Sequence, residues 1–494
     1  MEQLLNKDKT STYTISTKLN FINEIKKNSL YSILDYLSFF RSEKIVKETK
    51  NKKLTIYFYH NKMKKDIYNF KLYKSIEDVH SKIISCLMLF QINDRAYDYN
   101  YNINMNNTKT LLATGSWDKR ILIWELKRGI NNVNEIVHER IMEMAGHKYP
   151  IRCLTHFKAF NLINKDNNIN DIKDKYKLIK NYLLSGSKDC NIILWNVDDY
   201  NIENSTDSKE FYKTSIKTFT GHSEVVTALV VISLKGKINS YDNCGSCNSI
   251  DIMDSFISSS EDKSYKVWDL YIGTCTKTIY AHNGYVTCIN IIYFDKTNFN
   301  LLTGGGDKVI NIWDNNFNLK TSFSDHLDKI SCITNITTNT TNSTTPKKIL
   351  KELFILSSSD DKTIRKWDIN TLQCFFVLDQ HEDRVFYLDL INCYNTNNFN
   401  TNNDNYENNK LLISGSRDNN IRFWNIKFGF CLKSFYIEYS FNCAVIFKLT
   451  DDYVTLLLTN ENNIDIYNTE VILKTEKKLI KSVIKDEIKL MAAM

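Results

Sequence analysis

Apolar and polar positions alternate through LLATGSWDKRILIWEL (111–126), YLLSGSKDCNIILWNV (182–197) and LLISGSRDNNIRFWNI (411–426). Each stretch is an apolar run, a turn of small residues ending in Asp, and a second alternating run that closes on Trp. A period of two broken by small turn residues predicts paired antiparallel β-strands. The frame recurs six times with Asp and Trp six residues apart, at Asp118/Trp124, Asp189/Trp195, Asp262/Trp268, Asp307/Trp313, Asp361/Trp367 and Asp418/Trp424. Internal repetition therefore dictates the architecture.

A His precedes every Asp: His80, His147, His222, His282, His326 and His381. Four residues beyond each lies Ile84, Ile151, Val226, Val286, Ile330 or Val385, and six beyond lies Cys86, Cys153, Ala228, Cys288, Cys332 or Tyr387. A further strand of fixed register thus precedes each pair. Cys275, Cys374 and Cys431 stand seven residues after a Trp, in apolar stretches that read as a fourth strand. A four-stranded unit of this size cannot bury its own face, so the copies must stack, and radial stacking makes a β-propeller.

The recurring Gly-His (Gly146-His147, Gly221-His222), Ser-Gly-Ser-x-Asp and Trp-Asp (Trp268-Asp269, Trp313-Asp314, Trp367-Asp368) resemble the WD-repeat family over about residues 67 to 470. The resemblance implies an all-β, seven-bladed propeller in which each His, a strand Ser/Thr, the Asp and the Trp form a hydrogen-bond network within a blade. That assignment gives the buried indole N–H and carboxylate the partners they require. After the sixth repeat, FNCAVIFKL, DYVTLLLTN and NIDIYNTE read as three strands of a degenerate seventh blade, with Glu461 and Tyr467 in the places of Asp and Trp. Phe70 to Ile76 supplies its fourth strand and closes the ring, which removes open edges. Leu54 to His60 (LTIYFYH) reads as a strand that forms a hairpin with Phe70–Ile76 or belongs to an extra blade.

The 494 residues exceed seven repeats of about 42. The excess lies in Asn- and Lys-rich stretches at 91–109, 161–180, 234–254, 334–350 and 393–410, expected as loops between the first and second strands. These inserts crowd one face of the disc and leave short loops on the other. The first 80 residues hold 16 Lys/Arg and 9 Asp/Glu, so they account for the entire net charge of +7. Their basic run, Lys44 to Lys65, suits a solvated face, an acidic partner, nucleic acid or an anionic membrane surface. Of the 12 cysteines, seven occupy equivalent core positions of different blades, where they cannot pair, which points to a reducing cytoplasmic or nuclear compartment. Cys244 and Cys247 form a lone pair without a second of matching spacing, so no metal site is expected. No apolar stretch approaches a membrane span, and the polar amino terminus lacks a signal peptide.

Three regions follow: a basic extension (1–66), the propeller (67–470) and a Lys-rich tail (471–494). Within the extension, Leu30, Ile33, Leu34, Leu37 and Phe39 or Phe40 recur at helical spacing. In the tail, Leu479, Ile480, Val483, Ile484, Ile488 and Met491 form an apolar stripe amid lysines.

Neither a phosphate-cradling Gly loop nor a nucleophile elbow occurs, so no enzyme and no cofactor is expected. In the family, partners dock on the short-loop face, at the residue before each Asp and those three and five after each His. Carried over, that ring includes Ser85, Thr227, Thr287 and Ser331, and an arc of cations and aromatics: Trp117, Arg152, Lys188, Arg384, Phe386 and Arg417, with Tyr285 on the fourth blade. The arc suggests an acidic or phosphorylated peptide with an apolar anchor. The expected function is a non-enzymatic scaffold that recruits other proteins. Its alternatives are a substrate receptor of a ubiquitin ligase and an RNA- or ribonucleoprotein-associated assembly factor.

Overall fold

The computed structural model describes residues 71–93, 108–128, 136–160, 179–198, 212–213, 215–232, 254–294, 298–341, 349–392, 410–426, 429–448 and 453–470. These form seven sheets, each built on four antiparallel strands, and one sheet carries a short fifth strand. Blade 1 is Ile84–Asn93, Thr108–Ser116, Arg120–Arg128 and Ile136–Ala145. Blade 2 is Ile151–Phe160, Ile179–Ser187, Ile192–Asn196 and Lys217–Phe219. Blade 3 comprises Val226–Ile232, Ser255–Ser260, Ser264–Asp269 and Cys275–Tyr280; blade 4 comprises Val286–Tyr293, Phe299–Gly305, Ile310–Trp313 and Leu319–Phe323. Blade 5 runs through Ile330–Thr341, Ile349–Ser359, Ile364–Asp368 and Gln373–Leu378, and blade 6 through Val385–Asn392, Lys410–Ser416, Asn420–Asn425 and Phe430–Tyr436.

Blade 7 is the degenerate one, Ala444–Lys448, Tyr453–Asn460 and Asn463–Glu470, and its outer strand is Lys71–Ile76 from the other end of the chain. The first strand of each blade touches that of the next all the way round, blade 7 to blade 1 included. The fold is the seven-bladed propeller that the repeats predict.

Each apolar cluster is shared between neighbouring blades: Leu183, Ile193 and Trp195 of blade 2 pack with Ile121 and Met142 of blade 1, and Trp424 of blade 6 packs with Leu356 of blade 5. The middle strands are buried on both faces, as in Ile192–Asn196. This is why they read as nearly continuous apolar runs.

A regular β-bulge recurs in the first strand. Pairing of the first strand slips between Ile84 and Cys86, and at the same place in blades 2 to 6. A bulge re-aims the extra residue and bends the strand, and here the extra residue is the one five after the His. The small-residue position beside it is set by the neighbour: a Cβ on Gly115 would lie 2.6 Å from Cys86 Sγ and 2.8 Å from Ile151 Cγ2.

Some expectations change. Most of 334–350 is strand, with Thr334 to Thr341 paired to Leu356 to Ile349. The β-branched Ile and Thr of ITNITTNTT favour the pleat, and Ile336 is buried. In blade 7, Glu461 does not take the place of the Asp. Its turn is one residue shorter, with Asn460 paired to Asn463, and Glu461 itself has a positive φ. Cys275, expected in the core, is exposed on an outer strand that no further sheet covers, whereas Cys86 and Cys431 are buried. Blade 1 gains a fifth strand that the pattern did not predict, Tyr212–Lys213 pairing in parallel with Glu143–Met144.

The helix expected around Leu30 to Phe40, the Leu54–His60 strand, the basic run, Cys244 and Cys247, and the tail lie outside the described residues. Among the described residues, no helix is long and apolar enough to cross a membrane.

Candidate partner-binding face

Six buried networks hold the turns that form this face. In blade 6, Trp424 Nε1–H donates to Ser414 Oγ at 2.7 Å, Ser414 Oγ lies 2.7 Å from His381 Nε2, and His381 Nδ1 lies 2.8 Å from Asp418. The set is satisfied when the hydroxyl accepts from the indole and donates to Nε2, leaving Nδ1–H for the carboxylate. Blades 2, 3, 4 and 5 repeat it through Trp195–Ser185–His147–Asp189, Trp268–Ser258–His222–Asp262, Trp313–Thr303–His282–Asp307 and Trp367–Ser357–His326–Asp361.

Blade 1 departs from this pattern. His80 binds Thr114 and Asp118 at 2.8 and 2.9 Å, but the buried Nε1 of Trp124 has no hydrogen-bond partner among the described residues. Trp124 is therefore a packing residue and not a network member. The order Ser–His–Asp imitates a hydrolytic triad. However, each strand hydroxyl is buried, with Ser414 at 0% exposure, so no substrate reaches it.

The aspartates fix the loops. Asp418 Oδ2 accepts the N–H of Glu382, and its Oδ1 accepts that of Asn420. Burial acts to raise the pKa of Asp418, but the hydrogen bond from His381 and these N–H groups outweigh it, holding the carboxyl well below its ordinary range. The other five aspartates are lowered by the same balance.

Around this frame the residue before each Asp donates its N–H to the carbonyl of the residue three after the His. The pairs are Trp117–Ile83, Lys188–Pro150, Glu261–Val225, Gly306–Tyr285, Asp360–Lys329 and Arg417–Arg384, at 2.8 to 3.0 Å. The ring positions named from the sequence thus adjoin within every blade.

Their side chains differ in availability. Trp117 is 43% exposed on blade 1, and Arg152 and Lys188 are exposed on the adjacent blade 2. Tyr149, 56% exposed on the same loop as His147, joins them; the sequence reading missed it because it lies outside the carried-over positions. Tyr285 is exposed on blade 4 with its ring over Gly306, where a Cβ would come within 2.8 Å of the ring. Phe386 is half-buried against Phe441 at 5.2 Å.

Arg384 and Arg417 are less simply cationic than the sequence implied. With Asp328, Asp360, Asp383 and Ser440 they line a depression of about 490 Å³ between blades 5, 6 and 7. Arg384 lies 3.9 Å from Asp360, which also takes Lys329 at 3.2 Å, and Arg417 donates to Ser440 at 3.3 Å. Several polar ring residues serve the fold instead. Ser85 donates to the Ile151 carbonyl of blade 2, and Thr227 donates to the Val286 carbonyl of blade 4 at 2.7 Å. Thr287 bonds Gly304, and Ser331 bonds Asp360, both at 2.8 Å. Among the described residues, no cluster of three or more His, Cys, Asp or Glu could hold a metal ion.

Comparison with known proteins agrees with this geometry. The family model "WD domain, G-beta repeat" matches residues 101–125, 138–196, 213–269, 273–314, 317–368 and 372–425, more than half of the chain. Mitochondrial division protein 1 of Schizosaccharomyces pombe is 25% identical over 248 residues, covering 48% of this chain and 34% of that protein. Nuclear distribution protein PAC1 of Arthroderma otae is 26% identical, covering 51% and 48%. The ribosome biogenesis protein WDR12 homolog of Aedes aegypti is 21% identical, covering 65% and 60%. The chain thus spans between about a third and three fifths of these relatives' length. A crystal structure of the WD40 beta propeller domain of Doa1 superposes with a TM-score of 0.48 at 16% identity, covering 81% of this chain and 96% of that one. With its repeats, its hydrogen-bond networks and the family match in agreement, this chain belongs to the WD-repeat family.

Proposed function

We propose that this propeller is a scaffold that recruits other proteins on its short-loop face, centred on blades 1 and 2. The observation that carries the reading is Trp117. Its backbone is fixed by the 2.9 Å bond to Ile83 while its indole stays 43% exposed, on the same face as the exposed Tyr149, Arg152 and Lys188 of the adjacent blade. A rigid exposed Trp among cations and a Tyr has the composition of an interface hot spot. Such a set suits an acidic or phosphorylated peptide: Arg and Lys meet the anions, and the aromatic rings hold an apolar anchor.

Arg384 and Arg417 extend this surface across blade 7, with their attraction for anions reduced by the adjacent aspartates. Binding of arrayed phosphorylated, acidic and neutral peptides tests the reading. The expected result is retention of phosphorylated or acidic peptides with an aromatic or aliphatic residue nearby, lost in Trp117→Ala/Arg152→Glu/Lys188→Glu. Equal retention by the variant contradicts it.

A second reading, an assembly factor for ribonucleoprotein, draws on the match to the WDR12 homolog over 65% of the chain and on the net positive charge of the first 80 residues. It predicts RNA affinity that falls steeply with salt.

A further inference from the structure

The opposite face carries a feature that partner recruitment does not use. Along the lower rim, where the third strand turns into the fourth, blades 3, 4 and 5 expose Ile272 (71%), Leu319 (53%), Leu372 (50%) and Phe375 (60%). Successive blades touch at this rim: Lys217 of blade 2 donates to the Tyr271 carbonyl of blade 3 at 2.9 Å, and Lys277 of blade 3 to the Asn316 carbonyl of blade 4 at 3.3 Å. The apolar residues therefore form a belt on one rim of three successive blades. Carboxylates and lysines alternate with them: Asp269, Asp314 and Asp368 follow the third-strand tryptophans and accept N–H groups of their own turns, beside Lys217, Lys277 and Lys320.

We propose that this belt is the docking site for the chain's own carboxyl-terminal segment, residues 471–494. Three observations select that occupant. Its stripe of Leu479, Ile480, Val483, Ile484 and Ile488 is apolar at helical spacing, a match for the exposed apolar side chains of the rim. The last described strand, Asn463–Glu470, runs from the Asn460–Asn463 turn toward the lower face, so the segment leaves the propeller on the correct side. Its length also suffices. Blade 5 lies two blades from blade 7 around the ring. The eight residues 471–478 reach about 26 Å when extended, and a helix over 479–491 adds about 20 Å along the belt.

The test uses the full chain with the photo-reactive p-benzoylphenylalanine at position 375, in place of an exposed Phe. Irradiation followed by peptide mass spectrometry is expected to give a cross-link within one chain to residues 479–491, independent of protein concentration. Ile480→Asp/Ile484→Asp should reduce that product at least tenfold with an unchanged thermal midpoint of the propeller. Cross-links to residues 1–66, to a second copy or to another protein in place of the tail overturn the proposal, as does a tail cross-link that the double variant leaves intact.

Discussion

The Ser75 hydroxyl donates to the carboxylate of Asp465, joining side chains 390 positions apart across the seam of the ring. Asp465 is buried at 3% exposure and also accepts from the Asn460 amide at 3.3 Å. Blade 7 lacks the His–Asp pair, so this carboxylate is the polar centre that ties the outer strand Lys71–Ile76 to the rest of the blade.

Removing the hydroxyl leaves a buried carboxylate short of a donor, which costs about 1–3 kcal/mol. Ser75→Ala should therefore lower the midpoint of urea unfolding, with the slope unchanged because the surface exposed on unfolding is the same. An unchanged midpoint would show that the strand is held by its backbone ladder and by Ile76 alone.

The six tryptophans are not equivalent. Trp424 donates to Ser414 at 2.7 Å, whereas the buried indole nitrogen of Trp124 has no partner among the described residues. Phe retains much of the ring packing and removes only the N–H. Trp424→Phe leaves Ser414 without its donor, and should cost about 1–2 kcal/mol more than Trp124→Phe. Equal losses in paired calorimetric scans would remove the distinction between blade 1 and blade 6.

Stability should fall in two stages on acidification. His156, stacked on Phe90 at 4.2 Å, is pushed down from 6.5 to about 4, chiefly by burial. Its stabilising contribution is complete above pH 6.5. It is lost as pH falls toward 4, because the unfolded chain binds the proton first. The network aspartates act below this window. Their folded carboxyls stay charged beneath the ordinary value of 3.8, so their contribution persists above about pH 4 and disappears as pH falls further. His156→Phe should flatten the stability slope between pH 4 and 6.5 by up to about 1.4 kcal/mol per pH unit, leaving the lower stage in place. A slope identical to the parent's would show that His156 does not titrate in that window.

The sequence carried the propeller because each blade repeats one set of local requirements. His381, Asp418 and Trp424 recur in the same frame as their five counterparts, and small residues such as Gly115 mark where one blade presses on the next. What stayed hidden was set by neighbours distant in sequence. Asp328 and Asp360 belong to blade 5, so their proximity to Arg384 and Arg417 of blade 6 emerges only when the blades stack. Asp465 escaped notice for a different reason: a unique polar centre has no repeat to announce it. The bulges likewise left no mark on composition, yet they decide that Ser85 and Thr227 bind backbone carbonyls of adjacent blades while Arg152, in the same position, projects into solvent.

The variants that probe the short-loop face should not disturb folding, since Trp117, Arg152 and Lys188 are exposed and surface substitutions away from such networks usually change stability by less than about 0.5 kcal/mol. Thermal midpoints of Trp117→Ala, Arg152→Glu and Lys188→Glu within a degree or two of the parent are the expected result. A large drop in any one would place that side chain in the fold and not at a binding surface.

The central claim is that this face recruits other proteins. Quantitative affinity capture from native cells tests it most directly, comparing the parent chain with the folded Trp117→Ala/Arg152→Glu/Lys188→Glu variant. The account predicts that a defined set of proteins is depleted from the variant and recovered with the parent. Identical protein sets from both would contradict it.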